Sequence, residues 1–423
     1  IDGNDPEAIR AALITANKEE LRPTLIIGET IMGKGALQAD GSSYEHNIKT
    51  HGAPLGGEAY TNTIKHLGGD LNDPFKIFPE VQKLYDNRNA ELRKIVAKRH
   101  ADEAEWKRHN PSKAEQMQQW FSGKAPKIDW SGLVQKRDIP TRNGSAACLG
   151  VIAEQVPNMI VSSADLSNSD KTDGFLNKTH SFTRGDFSGA FFQAGVSELA
   201  MACMCIGMML HGGVITAMGT FFVFSDYMKP AIRMAALMQT PVKFVWSHDA
   251  FRVGEDGPTH QPIEQLQALR GIPNFLTFRP CDYREVIGSY DAVKDLRLPS
   301  AMVLSRQELV TQKESKIEDV RYGAYIISRE KAKLDGILVA TGSEVELAMQ
   351  AKKLLAEDGL DIRVISMPSV ELFKIQSATY KSSLFPLGVK TVAVEAGSPD
   401  IWYQFAKNVF GLTRFGLSDN PER

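Results

Sequence analysis

The sequence predicts an α/β fold organised as three α/β units with mostly parallel sheets. A chain of 423 residues has room for about two to four domains. Its 43% hydrophobic and 24% charged residues match an ordinary globular protein with a sizeable core. From the middle of the chain onward, helix-like and strand-like segments alternate instead of clustering by type. Such alternation implies parallel strands covered by helices, with ligands bound at the carboxyl ends of the strands.

Pro6 opens an amphipathic helix expected to run to about Glu20, and the apolar Thr24 to Ile27 follows as a strand. Gly28 to Gly56, rich in Gly, Ser and His and lacking periodicity, reads as a long functional loop or as a linker. Lys, Arg, Glu and Ala at helical spacing from Glu80 to about His109 suit a charged helical connection. A domain boundary is expected at Pro126 to Pro140. The next block predicts a helix at Gly144 to Glu154, a strand at Met159 to Ser163, a helix after Gly195 and a strand at Val214 to Met218. Pro-interrupted helical sequence at Phe222 to Met238 precedes a strand at Val242 to Trp246, a helix after Pro262 and strands near Leu276 and Met302. A third unit begins after Tyr322, with strands at Gly336 to Ala340, Ile362 to Ile365 and Thr391 to Val394 and a helix from the Thr341-Gly-Ser-Glu344 turn to about Glu357. That turn suits a capped helix start or an anion site.

A net charge of −2 gives no general attraction to nucleic acid or acidic membrane, so an anionic substrate needs local clusters of Arg and His. Cys148, Cys203, Cys205 and Cys281 lack zinc-like pairing and read as reduced core residues. The apolar run Leu199 to Leu210 is too short to span a bilayer, and a soluble cytoplasmic protein is expected. Beginning at Ile1-Asp2-Gly3 and stopping at Asp419 to Arg423 after an apolar segment, the chain reads as cut at both ends.

Gly254 to Pro262 reads Gly-Glu-Asp-Gly-Pro-Thr-His-Gln-Pro and is the segment richest in chemistry. Asp256 and His260 sit four apart among two Gly and two Pro, which suits an irregular active-site loop, with a polar surface turn as the alternative.

This loop and nine other segments, in a fixed order, resemble the transketolase family over nearly the whole chain. Among them are His51-Gly-Ala-Pro-Leu-Gly56, Ser163-Ala-Asp-Leu166, Gly195-Val-Ser-Glu198, Leu210-His-Gly-Gly213, Leu304-Ser-Arg-Gln307 and Val394-Glu-Ala-Gly397. The resemblance implies thiamine diphosphate, a divalent metal (Mg2+ or Ca2+), and transfer of a two-carbon ketol unit from a ketose phosphate such as xylulose 5-phosphate to an aldose phosphate such as ribose 5-phosphate. It further implies a homodimer in the pentose phosphate pathway. The implied domains are the carboxyl-terminal part of a diphosphate-binding domain (1–100), a helical linker (101–138), a pyrimidine-binding domain (139–318) and a carboxyl-terminal domain (319–423).

Residue by residue, the resemblance makes Glu198 the carboxyl group that hydrogen-bonds the aminopyrimidine; a first-turn glutamate complementing the helix dipole is the alternative. Phe221, Phe224 and Tyr227, spaced three apart as on one helical face, would line the cofactor pocket, with Phe224 stacked on the ring; aromatic core is the alternative. Arg142, Ser169, His248 and Arg306 match phosphate-binding positions. Asp256 would read the donor hydroxyl, and His260 would contact the reacting carbonyl region. His51 would lie near the diphosphate as donor or proton shuttle. Asp165 would support the cofactor pocket or act as a cap.

The family's Gly-Asp-Gly metal signature is not found; Gly68-Gly-Asp70-Leu71 is the nearest approach. The metal ligands are therefore expected upstream of Ile1, no metal ligand is assigned within the chain, and the 423 residues alone are expected to be weakly active or inactive. Dihydroxyacetone synthase and a non-catalytic dimerising fragment are the competing readings.

Overall fold

The computed structural model describes residues 1–134 and 136–420; Gln135 in the expected linker and Pro421 to Arg423 at the end of the expected third domain lie outside the described residues. The chain forms two compact units, Ile1–His109 and Asn110–Arg423.

In the first unit, Pro6 starts α1 (Pro6–Lys18), and the Asp5 side chain accepts from the Glu7 N–H at its N-terminus. The strand expected at Thr24 to Ile27 does not form. The segment is held by the Ile1 ammonium donating to the Ile27 carbonyl at 2.8 Å and by one isolated parallel bridge between Asp2 and Glu29. Apolarity alone is insufficient for a strand: a ladder needs a neighbour of matching length, and here it meets the first few residues of the chain. The loop that follows is ordered by side chains, with Glu45 accepting from the Gly35 N–H and Thr63 from the Leu37 N–H, both at 2.9 Å. It leads to a 3-10 turn, Ile48–Thr50, then α2 (Gly57–His66) and the 31-residue α3 (Pro79–His109), none of whose residues is buried. α3 runs across residue 100 without a break.

The second unit opens with α4 (Pro111–Phe121) and α5 (Thr141–Gln155). Six strands follow: β1 (Met159–Ser163), β2 (Phe191–Gln193), β3 (Ile215–Phe221), β4 (Lys243–Ser247), β5 (Leu276–Phe278) and β6 (Ser300–Leu304). They form one parallel sheet in the order β2-β1-β3-β4-β6-β5. Its helices are α6 (Glu198–His211), α7 (Ser225–Met238), α8 (Gln265–Arg270) and α9 (Tyr283–Lys294). The pleat of β4 divides the core: Val245 packs with residues of α5 and α9, whereas Phe244 and Trp246 pack with residues of α6 and α7. Both faces are covered, as parallel sheets require.

A second sheet contains β7 (Tyr325–Ser328), β8 (Gly336–Ala340), β9 (Ile362–Ser366), β10 (Thr391–Val394) and β11 (Asn408–Phe410) in the order β11-β10-β8-β9-β7, with β7 antiparallel. α10 (Glu344–Glu357) follows β8. The carboxyl edges of the two sheets meet at the buried guanidinium of Arg279. Its Nε donates to Asp249 at 2.9 Å, Nη1 to the Thr341 carbonyl at 3.1 Å and to Glu344, and Nη2 to Ser343 Oγ at 3.1 Å. Arg270 and Glu395 form a second buried link, a two-pronged ion pair at 2.7 and 2.8 Å.

Three further expectations change. Phe221 ends β3, Phe224 closes a 3-10 turn (Phe222–Phe224) and Tyr227 lies in α7, so the spacing of three crosses three backbone states rather than marking one helical face. Cys203 is exposed, whereas Cys148, Cys205 and Cys281 are buried. The turn before α10 has no side-chain cap. The side chain of Arg279 lies against it, and the carboxylates of Glu344 and Glu395 line a cleft of about 470 Å3 there. Those carboxylates oppose an anion at this helix start.

Candidate functional site

Parallel strands release their loops at one edge, and most of the candidate residues leave the first sheet there. Two residues beyond β1, Asp165 adopts a left-handed φ of 66° and is exposed. The short turn Ser167–Asp170 then carries Ser169. Asp170, which the sequence did not single out, is wholly buried and accepts from Ser163 Oγ at 2.7 Å, the Thr172 N–H at 2.8 Å and Thr172 Oγ1 at 2.7 Å. Burial nevertheless pushes its pKa up to about 6.

β3 ends at Phe221, whose ring is stacked with Phe224 at 6.0 Å and 16°. Phe224 in turn meets Tyr227 at 6.0 Å, and Tyr227 is 64% exposed. Next to this aromatic run, Glu198 is the first residue of α6 and is 8% exposed. Thr220, the penultimate residue of β3, donates a long hydrogen bond to Glu198 Oε1 at 3.4 Å. A carboxyl group so placed has, among the described residues, one weak side-chain partner in a nearly dry setting.

β4 releases His248, again with a left-handed φ of 66°. Its Nδ1 shares a hydrogen bond with Ser247 Oγ at 2.8 Å, and its ring centroid is 3.8 Å from that of Phe221. Burial, then the neighbouring charges of Arg142, Arg306 and His260, hold its pKa down to about 3, so the imidazole is neutral at physiological pH. Those causes also bring three other candidates to the same place.

Arg142 and Arg306 are brought together through Ser305 and Thr141. The Thr141 N–H donates to Ser305 Oγ at 2.9 Å and the Ser305 N–H to Thr141 Oγ1 at 2.7 Å, locking the start of α5 to the end of β6. The pKa of Arg142 is lowered, first by burial and next by repulsion from Arg306. Its Nη1 donates to the Ser169 carbonyl at 2.8 Å, while its buried Nε has no partner among the described residues. Two guanidinium groups that repel each other, one with an unused N–H, suit an anion between them.

The Gly254 to Pro262 loop consists of two 3-10 turns, Phe251–Asp256 and Pro258–His260. Gly254 and Gly257 both take φ of 77°, which side-chain-bearing residues rarely adopt. Gln261 Nε2 donates to the Gly254 carbonyl at 3.1 Å and fixes the loop. The His260 ring meets Phe224 edge-on at 5.3 Å and Phe221 at 6.0 Å. Asp256 is exposed in the same loop.

Thus Glu198, the aromatics, Arg142, Ser169, His248, His260 and Arg306 share one strand-edge region, with Asp165 and Asp256 on loops at that edge. His51 belongs to the first unit, where it is exposed just after the 3-10 turn. Thr141, Thr220 and Ser305 escaped sequence reading because hydroxyl groups in apolar segments carry no pattern. Asp170 is the neighbour of a chosen residue, but its burial depends on Gly219 across the sheet, where a Cβ would come within 2.6 Å of the carboxylate. Among the described residues no group of three or more His, Cys, Asp or Glu is arranged to hold a metal. No described helix is long and apolar enough to cross a membrane.

Family models for the transketolase thiamine diphosphate binding domain, the transketolase pyrimidine binding domain and the transketolase-like C-terminal domain match residues 1–126, 137–312 and 323–423. A probable transketolase of Streptococcus pneumoniae is 39% identical over 438 residues, covering 99% of this chain and 64% of that protein. The transketolase of Bacillus subtilis is 39% identical over 434 residues, covering 99% and 63%. Among solved structures, the Pichia stipitis transketolase complex with sedoheptulose 7-phosphate superposes with a TM-score of 0.90 at 34% identity, covering 99% of this chain and 62% of that one. The Campylobacter jejuni transketolase gives 0.86 at 36% identity, covering 100% and 63%. With three family domains in order and relatives of which it spans just under two thirds, this chain belongs to the transketolase family.

Proposed function

We propose that this chain forms part of a transketolase that moves a two-carbon ketol unit from a ketose phosphate to an aldose phosphate, using thiamine diphosphate, in the cytoplasmic pentose phosphate pathway. The observation that carries the reading is the strand-edge cluster, where a nearly dry Glu198 and an aromatic run stand beside the Arg142 and Arg306 pair. A flat heterocycle and a sugar phosphate need these two chemistries side by side. The Pichia stipitis relative is described as a complex with sedoheptulose 7-phosphate, which supports the substrate class.

The residues present fit the pyrimidine side of thiamine diphosphate: Glu198 has hydrogen-bonding capacity left after its 3.4 Å contact, and Phe224 offers a ring face. When bound, that cofactor supplies the carbon nucleophile that accepts the ketol unit. Glu198 hydrogen-bonds the aminopyrimidine nitrogen from its nearly dry place at the start of α6. Phe221 and Tyr227 line the same pocket, with Asp165 supporting it. Arg142, Ser169, His248 and Arg306 bind the phosphate end. Asp256 hydrogen-bonds the donor hydroxyl. His260 donates or moves a proton at the carbonyl oxygen of the reacting carbon, and His51 takes the role of donor or proton shuttle near the diphosphate. A Mg2+ or Ca2+ at the diphosphate belongs to the same reading, with ligands other than the described residues, and no step is assigned to it. The domains are taken as 1–100, 101–138, 139–318 and 319–423.

A homodimer is part of the proposal. Val196, Leu199, Cys203, Met204 and Leu210 make an exposed apolar face along and just before α6, and Tyr227, Met234 and Leu237 add to it from α7. Apolar surface of this extent, beside Glu198, suits burial against a second copy.

A coupled assay with xylulose 5-phosphate and ribose 5-phosphate, given thiamine diphosphate and Mg2+, tests the reading on the full-length protein carrying this sequence; absence of glyceraldehyde 3-phosphate would refute it. Faster turnover with formaldehyde as acceptor would instead favour dihydroxyacetone synthase. For the 423 residues alone, weak cofactor binding and little turnover are expected, and tight binding by titration would contradict that.

A further inference from the structure

We propose that the amino-terminal edge of the first sheet carries a second ligand site, for a small carboxylate with an aromatic or branched apolar body, bound through Lys243. A cleft of about 990 Å3 opens there, near the upper end of the roughly 300–1,000 Å3 of small-molecule sites. Met159, Ile215 and Lys243, the first residues of three adjacent parallel strands, all line it. His248 and Arg306 leave the opposite ends of their strands, and a five-residue strand spans about 17 Å. The cleft is therefore separate from the site described above.

Its apolar wall includes Trp120, Ile128, Val156, Tyr290 and Leu296. Its charged groups are Lys124, Lys127, Lys243, Lys294 and Arg297 against the single carboxylate of Asp295. Lys294 is engaged with Asp291 and Asp295, at 2.8 and 3.2 Å. Lys124 and Lys127 are exposed, and among the described residues neither has an acidic partner.

Lys243 is the decisive residue. An ammonium in a wholly parallel, apolar strand is an expensive choice, and it is 9% exposed with one hydrogen bond from Nζ, to the Val293 carbonyl at 3.0 Å in the last turn of α9. A lysine has three N–H donors, so capacity for an acceptor remains at the wall of an apolar cleft. Burial holds its pKa down to about 7. A carboxylate against Nζ restores the charge that burial opposes, while the ligand's apolar body displaces water from the wall. Phosphate alone suits the cleft less well, because most of its lining cannot hydrogen-bond.

The test is calorimetric titration of the 423-residue chain with 2-naphthoate and with the neutral 2-naphthylmethanol. Naphthoate is expected to saturate one site at least about tenfold more tightly than the alcohol and to quench a fluorescence component that W120F lacks. K243M, whose side chain is uncharged and one atom shorter than that of lysine, should bring naphthoate to the level of the alcohol, whereas R306Q at the opposite edge should leave it unchanged. The K124Q/K127Q pair, on exposed side chains, should weaken naphthoate about threefold and gives a second reading if K243M folds poorly. No saturable binding, equal affinity for the two probes, or loss in R306Q with retention in K243M would overturn the proposal.

Discussion

Replacing Arg279 with Met should weaken the junction between the two sheets more than any surface change nearby. Arg279 is fully buried, and its guanidinium reaches Asp249 at 2.8 Å as well as Glu344. Burial alone would depress its pKa, but Glu344 and Asp249 outweigh that and raise it above the usual guanidinium value. Losing the cation leaves buried carboxylates without their counter-charge, and breaking one buried pair costs about 3–5 kcal/mol. Against a total stability on the order of 5–15 kcal/mol, R279M should lose about a fifth or more. Asp249 already has one oxygen, Oδ1, without a partner among the described residues, so it cannot compensate. The control is R279M combined with D249N and E344Q, which removes the stranded charges and should recover at least half the loss. Calorimetric melting with urea denaturation of the 423-residue chain measures both. A loss below about 1 kcal/mol for R279M, or no recovery in the triple variant, would refute the electrostatic account.

Asp170 should make stability fall as pH rises: its folded pKa lies above the ordinary 3.8, so its contribution is complete below about 3.8 and is lost as pH passes about 6, some 3 kcal/mol in all. Denaturation of wild type and D170N from pH 3.5 to 7 checks this, and parallel curves would contradict it. In the holoenzyme, R306A should raise KM for sugar phosphates about 10- to 100-fold with a smaller change in kcat; an unchanged KM would remove Arg306 from the phosphate site. E198Q should lower kcat at least about 100-fold while the protein melts normally, and near-normal turnover would sink the assigned role. L199D, placing a charge on the exposed apolar face of α6, should shift light scattering of the full-length protein from dimer to monomer, whereas an unchanged mass would exclude that face.

How far the fold was legible depended on whether local pattern and tertiary setting agreed. Gly336 to Ala340 forms β8 with the expected limits, because an apolar run ends at a turn that the next helix start also demands. Thr24 to Ile27 is as apolar, yet it lacks a paired neighbour and stays irregular. The short strands β2, β7 and β11 went unseen while β5 and β10, just as short, were expected, since three or four residues carry too little periodicity to reveal strands consistently. For the candidate site, residues with distinctive chemistry such as His248, His260 and Arg306 were visible through family resemblance. Their supports were not, since Ser305 matters by joining two segments far apart in sequence. The aromatic spacing suggested a helix because sequence distance says nothing about a strand turning into one.

Because His248 stays neutral down to a pH near 3, it adds no charge to the Arg142 and Arg306 pair through any acidity a cell experiences. A phosphate monoester, by contrast, changes its own charge near pH 6, the region in which Asp170, whose charge acts on Arg142, changes its own. In an acidifying cell metabolite and receptor therefore shift together: the phosphate loses one negative charge while the carboxyl group loses one that competed for the same guanidinium.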